Sequence, residues 1–323
     1  MRLRIVLCAV FTVGCGLLSS CLSSYERVGL EEVGSARVGL GYRVRVDGDL
    51  ALLSHNDGAS VIDVSDCSRP AEIAVIETSE ACAGVLLSDG VAYVLDPAYG
   101  LLIVELADPA HPAVVGRLRG TASWCALAVS GHYVFLADRG GGVEVVDASD
   151  MSAPRIVGTG YSAQRCEDVC VYGEIAYVAL EGDGVHAVDV SNPLSPKLVR
   201  VLTNSAPAVG VSASDGLLAV ARHTQGAAVY DIADPEAPRY LGLAPSGHET
   251  LSVCVTKDVI TMADNMDGVR LLHLNPVDGV IEMGHYETGS AVHDVYTDGL
   301  LVYIADARRG LSILEPVLQD EAG

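Results

Sequence analysis

Apolar and polar positions alternate in short bursts along this chain. Runs rich in Val, Ile, Leu, Ala and Tyr, such as 91–95, 101–106 and 113–118, are bounded nearly everywhere by Gly, Asp or Pro. None approaches the roughly ten residues that a helix needs, so they read as strands. The punctuation between them is periodic. Gly58, Gly100, Gly142, Gly184, Gly226, Gly268 and Gly310 stand at an interval of 42 residues. Five residues after each glycine comes an acid, at Asp63, Glu105, Asp147, Asp189, Asp231 and Glu315, with His273 the exception. Twelve residues after it comes Pro70, Pro112, Pro154, Pro196 or Pro238, while the sixth repeat has Val280 there.

Each period holds about four strands, and a repeat near 40 residues built that way predicts a propeller blade. In the repeat that follows Trp124, the innermost strand is expected over 126–130, the second over 133–137, the third over 143–146 and the outer one over 155–158. The acid and the proline then have structural explanations: an Asp side chain bonds amides in the turn, and Pro suits a blade edge. The seventh repeat stops after its third strand, 311–314, with residues 317–323 left as a polar tail. Upstream of the first repeat, residues 27–34 read like the outer strands at Arg155 and Tyr240. The expected fold is therefore an all-β, seven-bladed β-propeller of four-stranded antiparallel blades, its last blade closed by an N-terminal strand. Closure of that kind removes the exposed edges of an open array.

The segments GVEVVDASDMSAPRIVG from Gly142, GVHAVDVSNPLSPKLV from Gly184 and GLLIVELADPAHPAVVG from Gly100 resemble the LVIVD-repeat family of bacterial extracytoplasmic propellers. The resemblance covers roughly residues 30 to 316 and brings no catalytic set with it, because scaffold residues define the family. The sixth repeat, GVRLLHLNPVDGVIEMG from Gly268, departs furthest.

Residues 1–20 carry Arg2 and Arg4, an apolar stretch over 5–18 and small residues before Cys21, the layout of a secretory signal. Leu18-Ser19-Ser20-Cys21 looks like a bacterial lipobox, which implies cleavage before Cys21 and acylation of that thiol. Residues 1–20 are thus expected to be a lipoprotein signal peptide, 21–26 a lipidated Cys and spacer, and 27–323 one propeller domain. If the chain resembles a Gram-negative lipoprotein, Leu22 and Ser23 carry no inner-membrane retention signal, and outer-membrane residence is favoured. A spacer of this length reaches about 20 Å. The face bearing the loops before each periodic glycine and those entering each inner strand is then expected to point away from the membrane.

Twenty basic against 42 acidic residues give a net charge of −22, so this surface should repel nucleic acid and anionic headgroups. Beyond the lipidated Cys21, six cysteines follow: Cys67, Cys82, Cys125, Cys166, Cys170 and Cys254. Export and an even count permit disulfides, with Cys82–Cys125 or Cys125–Cys166 the pairs that the register brings near the channel mouth. Cys170 and Cys254 fall on inner strands, where buried thiols are expected.

Inner strands show two alternating sets. Val85, Leu127, Val169, Val211, Val253 and Val295 are apolar, with Arg43 the outlier, and are expected to pack between blades. Tyr42, Gly84, Ala126, Asp168, Gly210, Ser252 and Asp294 are small or polar and are expected to line the channel. Asp168 and Asp294, with Glu167, His293 and Trp124, form the candidate channel-mouth site. The outward loops add Asp96, Asp138, Arg139, Arg222, His223, Asp264, Asp306 and Arg308. Catalytic motifs are missing: His248-Glu249 opens like a zinc motif but Ser252 stands where the second His belongs, and no nucleophile elbow or phosphate loop occurs. The expected function is a non-catalytic binding or assembly scaffold, without cofactor, for an envelope partner. The alternative is a lactonase-like hydrolase with Ca²⁺ or another divalent cation held by Asp168 and Asp294, together with Asp96, Asp138 or Asp264.

Overall fold

The computed structural model describes residues 28–120, 123–161, 165–202, 207–257, 259–275 and 279–318. The expected signal peptide over 1–20, the expected lipidation site Cys21 with its spacer, and Arg27 lie outside them. The described residues form seven four-stranded antiparallel sheets and no helix. In six sheets the strands are consecutive in sequence; the seventh runs Val28–Ala36, Gly310–Leu318, Val302–Asp306, Val292–Thr297 from rim to axis. The N-terminal strand therefore closes the last blade, pairing Ala36 with Leu311 and Val28 with Leu318. Val317 and Leu318, expected in a loose tail, are rungs of that ladder, because a nine-residue partner extends the strand that the repeat pattern alone would end at Leu314.

Seven apolar clusters fill the seven seams between neighbouring blades. This corrects the division of the inner strands into a packing set and a channel set. Leu127 packs into the seam with the second blade, whereas Ala126 and Ala128 pack into the seam with the fourth. A propeller sheet stands with its edge to the axis, so alternation distributes side chains between two neighbours rather than between core and channel. What meets the axis is the free edge of each inner strand and whatever side chains reach across it.

The periodic glycines open the third strand of each blade or, at Gly226 and Gly268, immediately precede it, all with φ between 76° and 142°. At Gly100 an added Cβ would lie 2.2 Å from the Leu118 carbonyl oxygen, so the outer strand's end crosses there at a distance only glycine allows. A second glycine column went unread in the sequence. At Gly116 and Gly158, where the ladder between third and outer strands slips register, an added Cβ would lie 1.8 Å and 2.6 Å from the carbonyls of Met151 and Pro193 in the next blade's turn. The acid and proline columns are structural, as expected. Asp63, Asp147, Asp189 and Asp231 accept bonds from the amides of Ser65, Ser149, Ser191 and Ala233, and the prolines immediately precede the outer strands.

Candidate functional site

Each second strand ends on the outward face, and there the aspartates expected in exposed loops are buried instead. Asp96, Asp138, Asp264 and Asp306 are at most 6% exposed. Asp96 accepts from Ser79 N at 2.9 Å, from the Ser79 hydroxyl and from the amides of Ala98 and Tyr99. Burial opposes its charge, but these donors outweigh that and hold the carboxyl below its ordinary value. Asp264 takes the Ser246 and Thr250 hydroxyls, and Asp306 takes the Ser290 hydroxyl and the amides of Arg308 and Arg309. These carboxylates clamp the loop that enters the inner strand onto the loop after the second strand. A carboxylate engaged by incoming loop donors this way is scaffold, since an unpaired buried donor costs more than the bond itself yields; the second oxygen of Asp264, Oδ2, faces Arg270 Nε at 3.2 Å.

The same loops join blade to blade. The carbonyls of His55, Leu180, His223, Asn265 and Asp306 accept from the amides of Cys82, Ala208, Thr250, Val292 and Gly41 in the next blade. His223 and Asn265 do so from left-handed backbone, with φ of 53° and 46°. Arg222 is half-buried and its amide is bonded to Gly226 O, so neither Arg222 nor His223 is a free loop tip. Arg308 is exposed. Arg139 and Arg165 both grip Glu167, at 2.9 and 2.8 Å, and Arg165 also reaches Glu181 at 2.9 Å, an ion-pair network across the third and fourth blades. Trp124 is only 3% exposed: its indole N–H donates to Glu144, and its ring lies against Gly120. It is packing, not a mouth contact.

Four charges gather at the axis. Asp294 accepts from Val44 N at 2.9 Å, from Arg45 Nη1 at 2.7 Å and from the Ser252 hydroxyl, with Arg43 at 3.8 Å. Asp168 accepts from its own strand at Val169 N and from the next blade at Val211 N, both at 3.0 Å. Both aspartates thus supply acceptors to amides on a strand edge that has no partner strand. Their electrostatics differ. Burial works against ionisation of Asp294, yet Arg45 and Arg43 hold its carboxyl below the ordinary value; at Asp168 burial prevails over the opposing charge of Arg43 and raises it. His293 donates to Gly41 O and stacks on Tyr42, ring centroids 5.5 Å apart. The structure thus separates the five candidate mouth residues: Asp168 and Asp294 reach the axis, Glu167 and His293 lie at the outer mouth, and Trp124 is in a seam. The reading of Asp294 as a cation ligand meets Arg45 already in place, and no group of three or more His, Cys, Asp or Glu among the described residues is arranged to hold a metal. Arg45, which sequence reasoning passed over, is the axis residue whose signal was available: a cation on an inner strand.

A family profile described as LVIVD repeat matches residues 39–78, 81–119, 122–160 and 164–203. Four LVIVD repeats lie in this chain. They coincide with the first four blades, and the last three keep the blade without matching. No curated protein matches in sequence. Among solved structures, the chain is similar to the Neurospora crassa Pan2 WD40 domain, with a TM-score of 0.66 and 10% identity, covering 90% of this chain and 96% of that one. It is also similar to the computationally designed Ika8 protein, with a TM-score of 0.64 and 10% identity, covering 88% and 99%. At such identity these matches establish the fold alone.

The LVIVD repeats also carry the cysteines that follow Cys21, all but Cys254 of the sixth blade, and here the disulfide expectation is corrected. Cys82, Cys125, Cys166, Cys170 and Cys254 are thiols. Cys125 Sγ donates to Cys166 O at 3.1 Å, so the register did bring these two blades' cysteines together, but each sulfur is turned to a carbonyl. Burial pushes the thiols of Cys82 and Cys125 up to about 12, which leaves no reactive thiolate near neutrality. Cys67 is half-buried in the seam that joins the seventh and first blades.

Proposed function

We propose that this protein is a non-catalytic binding scaffold, lipid-anchored through Cys21 in the cell envelope, that takes a protein partner on its outward loop face. One observation carries the reading. With the aspartates of that face consumed internally, its rim exposes Leu40, Tyr99 and Met266 at 42%, 57% and 55%, interleaved with the exposed Arg308 and with Arg139 and Arg165, which stay exposed while paired with Glu167 and Glu181. Large apolar and arginine side chains on immobile loops are what a protein contact uses. The anchor supports the same orientation: the N-terminal strand begins opposite Leu318, on the face of the third-to-outer turns, so an acyl chain preceding it would leave the loop rim facing away from the bilayer.

The test is capture of an envelope partner by wild-type protein and two double variants. Tyr99→Ala/Met266→Ala, on the rim, should abolish capture. Leu194→Ala/Leu300→Ala, which removes the exposed apolar pair at 62% and 52% on the opposite face, should leave it intact. The reverse pattern would reject the assignment of the face. Metabolic palmitate labelling that survives Cys21→Ser would reject the anchor.

A further inference from the structure

The perimeter of the ring is uneven at one blade. In every outer strand one residue pairs with the residue three after the periodic glycine: Gly34, Ala74, Gly116, Gly158, Arg200, Gly242 and Gly284. Where it is glycine, the next blade's turn can close onto the strand. An added Cβ at Gly34, Gly116 or Gly158 would lie 2.1, 1.8 or 2.6 Å from the carbonyl oxygen of Cys67, Met151 or Pro193. The fourth blade breaks this column. Arg200 holds the fifth blade's turn off its backbone and reaches across to it, donating from Nη1 to Glu236 O at 2.9 Å. Its strand, Lys197–Val201, is exposed over the first four residues, with Leu198 at 46% and Val199 at 36%. That strand is also the end of its sheet, so one row of its N–H and C=O groups faces no strand. Charge sets it apart as well. Lys197 stands in the column of Arg155 and Arg239, which are tied to Asp147 at 2.9 Å and Asp231 at 3.0 Å. Lys197 lies opposite Asp189 without such a contact, and Arg200 bonds only a carbonyl, so neither cation is ion-paired among the described residues. In a chain of net charge −22, no other outer strand carries two cations.

We propose that the outer edge of the fourth blade docks an acidic, extended segment of a partner protein, which adds to Lys197–Val201 as a fifth strand. Main-chain hydrogen bonds to the free edge supply affinity, as in other strand additions, and the exposed Leu198 and Val199 offer apolar contact to alternate side chains of the incoming segment. Its carboxylates pair with Lys197 and with the guanidinium of Arg200, whose Nε and Nη2 are free of bonds to described residues. The same two cations set the selectivity. A basic strand is repelled by them and a neutral one leaves them unpaired, so complementary charge decides which edge-seeking segment is admitted. This edge lies on the perimeter, away from the loop rim, and neither site depends on the other.

Fluorescence anisotropy of the full-length protein with three labelled peptides tests this: a short alternation of Glu and Val, its Lys and Val counterpart, and the acidic peptide with a central Val replaced by Pro. The acidic peptide is expected to bind at least about tenfold more tightly than the basic one. Proline, which removes a main-chain donor, should abolish binding. Hydrogen exchange should slow at the amides of Lys197–Val201 when the acidic peptide binds and stay unchanged at Ala113–Leu118, an outer strand whose glycine column is intact. Lys197→Gln/Arg200→Gln should weaken the acidic peptide about fivefold, the worth of two exposed ion pairs. Arg200→Gly restores the residue usual in that column, so it should keep the thermal midpoint and lose binding. No binding of the acidic peptide at millimolar concentration would overturn the proposal. So would equal affinity for the acidic and basic peptides, undiminished binding of the proline peptide, or protection that falls on another strand, all read on the native chain. Full affinity in Arg200→Gly would overturn it as well.

Discussion

Two seams of the ring use the same device with different reinforcement. Midway round, Asp168 of the fourth blade accepts from Val211 of the fifth; where the chain ends meet, Asp294 of the seventh blade accepts from Val44 of the first. The first is a carboxylate on amides and nothing more. The second adds Arg45 and Arg43 at the axis, and near the rim Glu32 of the N-terminal strand takes Arg309 at 2.6 Å and the Tyr286 hydroxyl at 2.9 Å. The difference has a mechanical reason. The fourth blade is held together by hairpins throughout, but the seventh contains one rim strand joined to its neighbour by hydrogen bonds alone. Separation there opens the ring, and the extra charge pairs lie across that closure.

The sharpest way to break the comparison is to remove the closing strand. Deleting Val28–Ala36 exposes the Gly310–Leu318 edge and strips Val28, Leu30 and Ala36 from two seams. Loss of the cooperative thermal transition and aggregation on size exclusion are expected; a midpoint equal to that of the intact chain would show that closure is dispensable. Next in size is Asp294→Ala, which leaves Arg45 mostly buried and unpaired and should cost about 3 kcal/mol in denaturant unfolding. Asp168→Ala removes an acceptor from the amides of Val169 and Val211 but strands no charge, and should cost about 1–2 kcal/mol. Equal losses for the two would erase the distinction between the seams. Glu32→Gln, at a partly exposed ion pair, should cost less than about 1 kcal/mol.

The smallest effect is in pH dependence, where the two aspartates should act with opposite signs. Asp294 is held below its ordinary 3.8, so its contribution is present above that value and is lost as pH falls through the folded pKa. Asp168 is raised above 3.8, so its contribution is present below that value and is lost as pH rises through the folded pKa. Asp294→Asn should therefore flatten the acid side of the stability profile, and Asp168→Asn should reduce the loss on rising pH. Profiles altered in the same direction would contradict the assignment.

Blade number, strand order and closure were legible from a spacing of 42, because each blade repeats one backbone problem: a glycine where the outer strand crosses, an acid in the turn, a proline before the rim strand. The second glycine column, at Gly116 and Gly158, kept the same spacing and was equally readable. The candidate site was legible only in part. Asp168 and Asp294 occupy one column of the repeat, and the column placed both at the axis. Their opposite electrostatics come from Arg43 and Arg45, which lie about 250 residues from Asp294 in the chain and reach it only once the ring has closed.

Periodicity therefore determined the number of blades, their internal order and which residues share a level, since these follow from backbone geometry repeated locally along the chain. Tertiary structure decided which side chains those levels bring face to face. Asp96 looks like a loop acid until the incoming Ser79 folds over it, and Arg43 looks like an outlier in an apolar row until Asp294 of the last blade comes within 3.8 Å of it. Burial and pairing are properties of residues that meet through space, and a repeat unit read by itself contains only half of each meeting.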